Sequence, residues 1–226
     1  MKALLIGSMG VVADTSERQR EAYNSVFNER GVPLHWSQSE YQNLLRTSGG
    51  QLRIEKAIRG LDDVPDAREL HRAKAERFQA DVRKNGVICR PGIVETIRDV
   101  KQLCGVVGFV TTTDAANLEA ILSAAPDLSA DDFECILDQQ DVAERKPDPE
   151  VYRLAMDKLG VAAADCIAVE DNTDGLASAA AAGIRCYAFP GENNAGHDFD
   201  AAEAVLQELS LSAIGWESAA PCGNGA

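Results

Sequence analysis

The opening stretch, Met1-Lys2-Ala3-Leu4-Leu5-Ile6-Gly7-Ser8-Met9-Gly10-Val11-Val12-Ala13-Asp14, decides the fold. Four apolar residues run into Gly-Ser-Met-Gly, the pattern of a buried strand that ends in a turn and presents side chains at the carboxyl edge of a sheet. Outward from it, strand-like segments return at 105–110, 133–137, 166–169 and 186–189. Helical stretches at 91–103, 117–124 and 149–159 separate them. Strands alternating with helices imply an α/β fold with a parallel sheet covered on both faces. Between about residues 16 and 83 the periodicity is helical throughout and no β-branched run interrupts it. The expected organisation is therefore a Rossmann-like core built from 1–14 and 86–210, a helical cap over 15–85, and a loose C-terminal tail over 211–226.

Composition narrows the partners. The chain has 226 residues and a formal net charge of −14. That balance argues against nucleic acid and against an anionic membrane, since a binder of either needs a basic face. No apolar run approaches the ~20 residues of a membrane helix, and Met1-Lys2 leads straight into a strand, so a cytoplasmic protein is expected. Six cysteines, at 89, 104, 135, 166, 186 and 222, form no C-x-x-C pair and mostly sit in apolar segments. They read as reduced core thiols. The three histidines, His35, His71 and His197, show no ligand spacing and receive no role.

Four segments carry the chemistry. The first is Gly7-Ser8-Met9-Gly10. The second is Thr111-Thr112-Thr113, directly after an apolar strand. The third is Arg145-Lys146-Pro147-Asp148-Pro149-Glu150-Val151-Tyr152. The fourth is Cys166-Ile-Ala-Val-Glu170-Asp171-Asn172-Thr-Asp-Gly175. In order and spacing they resemble motifs I to IV of the haloacid dehalogenase superfamily, over residues 1 to about 210. Within it, the stretch from His35-Trp36 through Tyr41 and Arg46-Thr47-Ser48-Gly49-Gly50-Gln51-Leu52-Arg53 is similar to the cap of the bacterial xylulose-bisphosphate phosphatases. These are relatives of β-phosphoglucomutase.

The resemblance implies specific roles, and this chain departs from two of them. Motif I normally carries a nucleophilic aspartate and an acid/base aspartate; here those positions are Gly7 and Met9. Thr111 and Lys146 match the family's phosphoryl-binding hydroxyl and ammonium. Thr112, Arg20, Arg46, Gly49, Gly50 and Arg53 are the candidate substrate contacts, with Arg145 adding local positive charge. Glu170 and Asp171 match the Mg²⁺ motif, a site expected to be weakened or absent without the first aspartate. On local grounds alone, Glu170 would instead pair with Lys146 and Asp171 would cap the following helix. Ser16 and Gln19 stand where the branch has a substrate-directed glutamate and histidine, and Ser16-Glu17-Arg18-Gln19 fits a helix capping box.

Losing a nucleophile that works in concert with its neighbours removes on the order of 10⁶ in rate, about 8 kcal/mol of barrier. Ser8 is the nearest substitute, but alternation along an extended strand end aims it away from positions 7 and 9. Asp14 reads as a turn or helix-start residue. Met9 reads as an apolar side chain filling the space of a carboxylate and its ion. Three functions follow from these residues. The chain is a pseudophosphatase that binds a small sugar phosphate or a protein partner, or an active Mg²⁺-dependent sugar-phosphate phosphatase or mutase with unconventional chemistry, or a purely structural protein.

Overall fold

The computed structural model describes residues 1–217. Five parallel strands, β1 (Ala3–Ile6), β2 (Val106–Val110), β3 (Cys135–Leu137), β4 (Cys166–Glu170) and β5 (Arg185–Ala188), form one sheet in the order β3-β2-β1-β4-β5. Ala3 stands in register with Val106 on one side and with Cys166 on the other, so β1 is the central strand. Strand order reverses at β1, and a ligand crevice in such a sheet opens beyond the carboxyl ends at that point.

Alternation along the strands builds two apolar layers. Leu4, Ile6, Val107, Phe109, Ile167 and Val169 face one way, where α6 (Ile93–Gln102) and α7 (Ala115–Ala124) pack. Ala3, Leu5, Val110 and Ala168 face the other, against α8 (Glu150–Leu159) and α9 (Thr173–Ala181). The spacing of Ile93, Val94, Ile97 and Val100 turns one stripe of α6 to the sheet. Gly92, at φ 80°, starts that helix where an added Cβ would overlap the Leu209 carbonyl; only glycine permits this approach.

After β1 the chain makes the short α1 (Met9–Val12), then α2 (Ser16–Glu29), α3 (Gln38–Leu44), α4 (Gly50–Ala57) and α5 (Ala67–Asn85). These helices hold an apolar cluster of their own around Tyr23, Phe27, Trp36, Tyr41, Ile54 and Leu70. Rings of Phe27 and Trp36 meet edge to face at 4.9 Å between centroids. Two starts are set by side chains. Ser37 and Glu40 close a capping box on α3, and Asp66 accepts from the Glu69 amide at the head of α5. The box expected at Ser16 does not form. Thr15 takes the N-cap position, Ser16 is already helical, and Gln19 turns to accept from Lys74 at 2.8 Å.

Two further expectations are corrected. The segment from 211 is not loose where it is described: Ile214 is fully buried and Trp216 packs in the sheet's apolar layer, over the face that Gly105 leaves open. Lys2 fixes its end by donating to the Glu217 carbonyl. The rest of the expected tail, 218–226, lies outside the described residues. Among the cysteines, Cys89, Cys135, Cys166 and Cys186 are free, whereas Cys104 is disulfide-bonded. Cys104 sits exposed in the left-handed turn after α6, at φ 56°, so its apolar sequence neighbours were no guide to its own surroundings. Cys222 lies outside the described residues. Among the described residues no helix is long and apolar enough to cross a membrane.

Candidate active site

The sheet's switch point brings the ends of β1 and β4 side by side. The Gly7 amide donates to the Val169 carbonyl at 2.9 Å, extending the ladder by one residue, so Gly7 lies against Glu170 and Asp171. Lys146 reaches in from the turn before α8. Its ammonium donates to the Gly7 carbonyl, the Val110 carbonyl and Glu170 Oε1, each at 2.6 Å. An ammonium has three protons, so all its donors are used.

Glu170 is fully buried. Besides Lys146, its Oε1 accepts from the Tyr152 hydroxyl at 2.6 Å, while Oε2 has no hydrogen-bond partner. Burial pushes the Glu170 carboxyl up, and neighbouring Asp171 adds to this; Lys146 and Tyr152 pull it back. Burial likewise raises the Tyr152 phenol far above its ordinary value, with the Glu170 charge reinforcing the shift. Tyr152 is therefore a neutral donor.

This network occupies the space that a side chain at position 7 would need. A Cβ built on Gly7 would overlap the Glu170 carboxylate and lie 2.5 Å from the Tyr152 hydroxyl. The ion pair between Glu170 and Lys146 was legible in the sequence. That the carboxylate fills the place of the missing nucleophile was not. Tyr152 closes the third segment, where the sequence gives it no role; its contact with Glu170 is made only in the fold.

Ser8 differs from expectation. The strand stops at Ile6 and Ser8 is the N-cap of α1, so strand alternation no longer governs its direction. Its hydroxyl donates to Asp171 Oδ1 at 2.7 Å. Asn172 Nδ2 donates to the same oxygen at 2.6 Å, and Asn172, not Asp171, caps α9 by accepting from the Gly175 amide. Asp14 has the helix-start role: its carboxylate accepts from the Ser16 amide and hydroxyl and from the Glu192 amide. Met9 is buried in the apolar layer.

Thr111 is buried beyond β2; its amide bonds to the Leu137 carbonyl, and its hydroxyl accepts from the Thr113 amide. Thr112 is half-buried beside it. The arginines do not gather here. Arg20 is held by Glu17 and the Trp36 carbonyl, Arg53 by the Leu44 and Thr47 carbonyls, and Arg145 by Gln139. Arg46 is exposed. Gly49 caps α4 in the left-handed region at φ 99°, and a Cβ on Gly50 would stand 2.6 Å from the Tyr23 hydroxyl and 2.7 Å from His71 Nε2. Gly50 thus has a steric reason.

Beside Gly50 lie His71 and Lys74, which no sequence motif singles out. Lys74 is buried without a carboxylate, its ammonium over the rings of Tyr23 and Phe78. Burial brings its pKa down to about 7. Burial and the nearby Lys74 charge take His71 down to about 4. The helices close on the sheet's edge through Gln38 with Glu192, His197 Nε2 with the Gln42 carbonyl, and the Ser48 amide with Asp174.

Of the family's magnesium-site positions the chain keeps Glu170 and Asp171 and lacks the motif I carboxylates. Mg²⁺ needs near-octahedral oxygen ligation. Here the Lys146 ammonium already sits between the Gly7 carbonyl and Glu170, and Asp171 Oδ1 is taken twice.

Comparison with known proteins agrees with this architecture. "Protein CbbY" of Rhodobacter capsulatus is 39% identical over 217 residues, covering 94% of this chain and 96% of the relative. The crystal structure of CbbY from Rhodobacter sphaeroides in complex with phosphate superposes with a TM-score of 0.83 at 35% identity, over 92% of this chain and 94% of that one. A mutant of the same protein was solved with xylulose-(1,5)bisphosphate, at the same similarity and coverage. The β-phosphoglucomutase structure from Clostridium difficile, at 19% identity and TM-score 0.77 over 95% of this chain and 96% of that one, shares the fold. The family match, to haloacid dehalogenase-like hydrolases, covers residues 10–189 and so begins just past Gly7-Ser8-Met9. With the parallel sheet, the motif order and relatives of this similarity in agreement, the chain belongs to the haloacid dehalogenase-like hydrolase family.

Proposed function

We propose that this chain binds a small phosphorylated sugar at the carboxyl edge of the sheet without hydrolysing it by the family's aspartyl-phosphate route. One observation carries the reading: position 7 has no carboxylate, and the Glu170 side chain, held by Lys146 and Tyr152, lies where a side chain there would start. Loss of such a nucleophile corresponds to about 8 kcal/mol of barrier. Met9 gives no proton to a leaving oxygen, a further ~10²–10⁴ in rate. Mg²⁺ is expected to bind weakly or not at all.

Binding is supported by what the site keeps. Lys146, Thr111 and Thr112 remain in place, and the similar CbbY was solved with phosphate and with a sugar bisphosphate. A phosphate oxygen entering the site takes the place of Glu170 Oε1 on Lys146. Two like charges 4 Å apart repel by about 4 kcal/mol at an effective dielectric constant of 20. Ligand and Glu170 therefore compete for one ammonium. Calorimetric titration with xylulose 1,5-bisphosphate, followed by assay of the same mixture for free phosphate, tests the reading. Binding without phosphate release is expected; sustained release, or no binding by any member of a sugar-phosphate panel, would overturn it.

A further inference from the structure

We propose that Ser8 is a phosphoacceptor: a phosphoryl group bound beside it passes to its hydroxyl and stays there as phosphoserine. The inference rests on phosphate ester binding at this site, as argued above, and goes beyond it by assigning a covalent step. Three side chains carry it. The Ser8 hydroxyl donates to Asp171 Oδ1 at 2.7 Å, and Asn172 holds that same oxygen from the other side at 2.6 Å. The Asp171 backbone is fixed in turn, its carbonyl accepting from the buried Asn194 at 3.1 Å. A hydroxyl, a base within hydrogen-bond reach and a third group orienting the base is the arrangement of an activated nucleophile.

A carboxylate is a weak base for an alcohol, but phosphoryl transfer asks little of it. The transition state is loose, and protein kinases use an aspartate as acceptor for the proton of a substrate hydroxyl. Ser8 is half-buried, just past the carboxyl end of β1 where the ester is proposed to bind. It is also adjacent to Gly7, where the family's attacking atom would be; the Glu170 carboxylate beside that position gives up Lys146 to the incoming phosphoryl group, as in the binding step.

The step balances. Ser8 Oγ forms a bond to phosphorus as the ester P–O bond breaks; the hydroxyl proton passes to Asp171 and from there, through solvent, to the departing sugar oxygen. The products are phosphoserine and the free sugar alcohol. No inorganic phosphate is released, so the transfer is compatible with a chain silent in a phosphate-release assay. An aspartyl-phosphate is an acyl phosphate that water and hydroxylamine cleave, whereas phosphoserine resists both. The chain would thus keep a record of having met its ligand.

The test uses the whole chain with acetyl phosphate as an activated donor and xylulose 1,5-bisphosphate as a sugar donor, with and without Mg²⁺. Intact mass is read over hours, and binding of the sugar bisphosphate is measured in parallel by calorimetry. The expected result is a gain of one phosphoryl group, stable to hydroxylamine and mapped to Ser8. It is absent in Ser8→Ala and slowed by about 10²-fold or more in Asp171→Asn, the range of a lost general base. A structural hydrogen bond alone would give no mass change. Binding of the donor with no mass gain overturns this proposal and leaves the binding reading standing; label on another residue, or label on Ser8→Ala, overturns it too. Absence of both binding and label removes both.

Discussion

Replacing Lys146 by methionine tests the centre of the site in one step. The side chain is 6% exposed and its partner Glu170 0%, so the variant leaves a carboxylate buried beside the Tyr152 hydroxyl with no cation. Breaking a buried pair from one side is strongly destabilising, about 3–5 kcal/mol. For a chain of this size each kcal/mol moves the melting temperature by about 2–4 °C, so a fall of about 6–20 °C is expected. The double variant Lys146→Met/Glu170→Leu removes both charges and should recover most of the loss, because a buried pair adds little over a well-packed apolar one. The pH dependence has a definite sign. A carboxyl whose folded pKa lies above its unfolded value contributes stability at low pH and loses it as pH rises through the folded pKa. Glu170 is already raised with Lys146 present, and removing the cation raises it further. The gap between variant and native chain should therefore narrow from pH 8 towards pH 5.5. Urea unfolding at the two pH values measures this. A single variant as stable as the native chain, or a double variant as unstable as the single, would refute the reasoning.

Other expectations concern separate parts of the chain. Gly7→Ala drives a Cβ into the Glu170 carboxylate and should destabilise by about 1–3 kcal/mol, as overpacked cores do; an unchanged urea midpoint would show that Glu170 leaves that space freely. Lys74, with its pKa near 7 when folded against an ordinary value of about 10.4, is protonated more readily unfolded. Native stability should therefore rise with pH between 7 and 10, and Lys74→Met should flatten that rise in chemical denaturation curves. Trp216→Ala empties a site in the sheet's apolar layer and should lower stability by about 3–5 kcal/mol by urea unfolding; a loose tail would give no change.

What the sequence made legible follows from where local pattern decides structure. β1, β2, β4 and β5 are short apolar runs buried on both faces, and their positions were readable to within a residue or two. Opposite charge predicted Lys146 with Glu170, whereas the strand order that sets Gly7 beside Glu170 was not legible. The direction of Ser8 was not legible, because it depends on the strand ending at Ile6 rather than continuing to Met9. The same limit applies to the arginines. Arg20 and Arg53 looked available as charges, and only the folded helices show them bonded to the Trp36, Leu44 and Thr47 carbonyls. The packing of Trp216 was not legible, because the Gly- and Ala-rich residues after it dominate the composition of the last segment. Asn172 and Asp171 are adjacent and both suited to cap a helix; which one does so is fixed by the backbone, since α9 starts at Thr173 and Asn172 is the extended residue before it.

The measurement that bears most directly on the account is steady-state phosphate release by the purified chain with Mg²⁺ across a sugar-phosphate panel that includes xylulose 1,5-bisphosphate, beside the double variant Gly7→Asp/Met9→Asp. No release by the native chain above the level of a Lys146→Ala control is expected, with any turnover confined to the variant in which both aspartates are present. Release by the native chain that disappears in Lys146→Ala would contradict it.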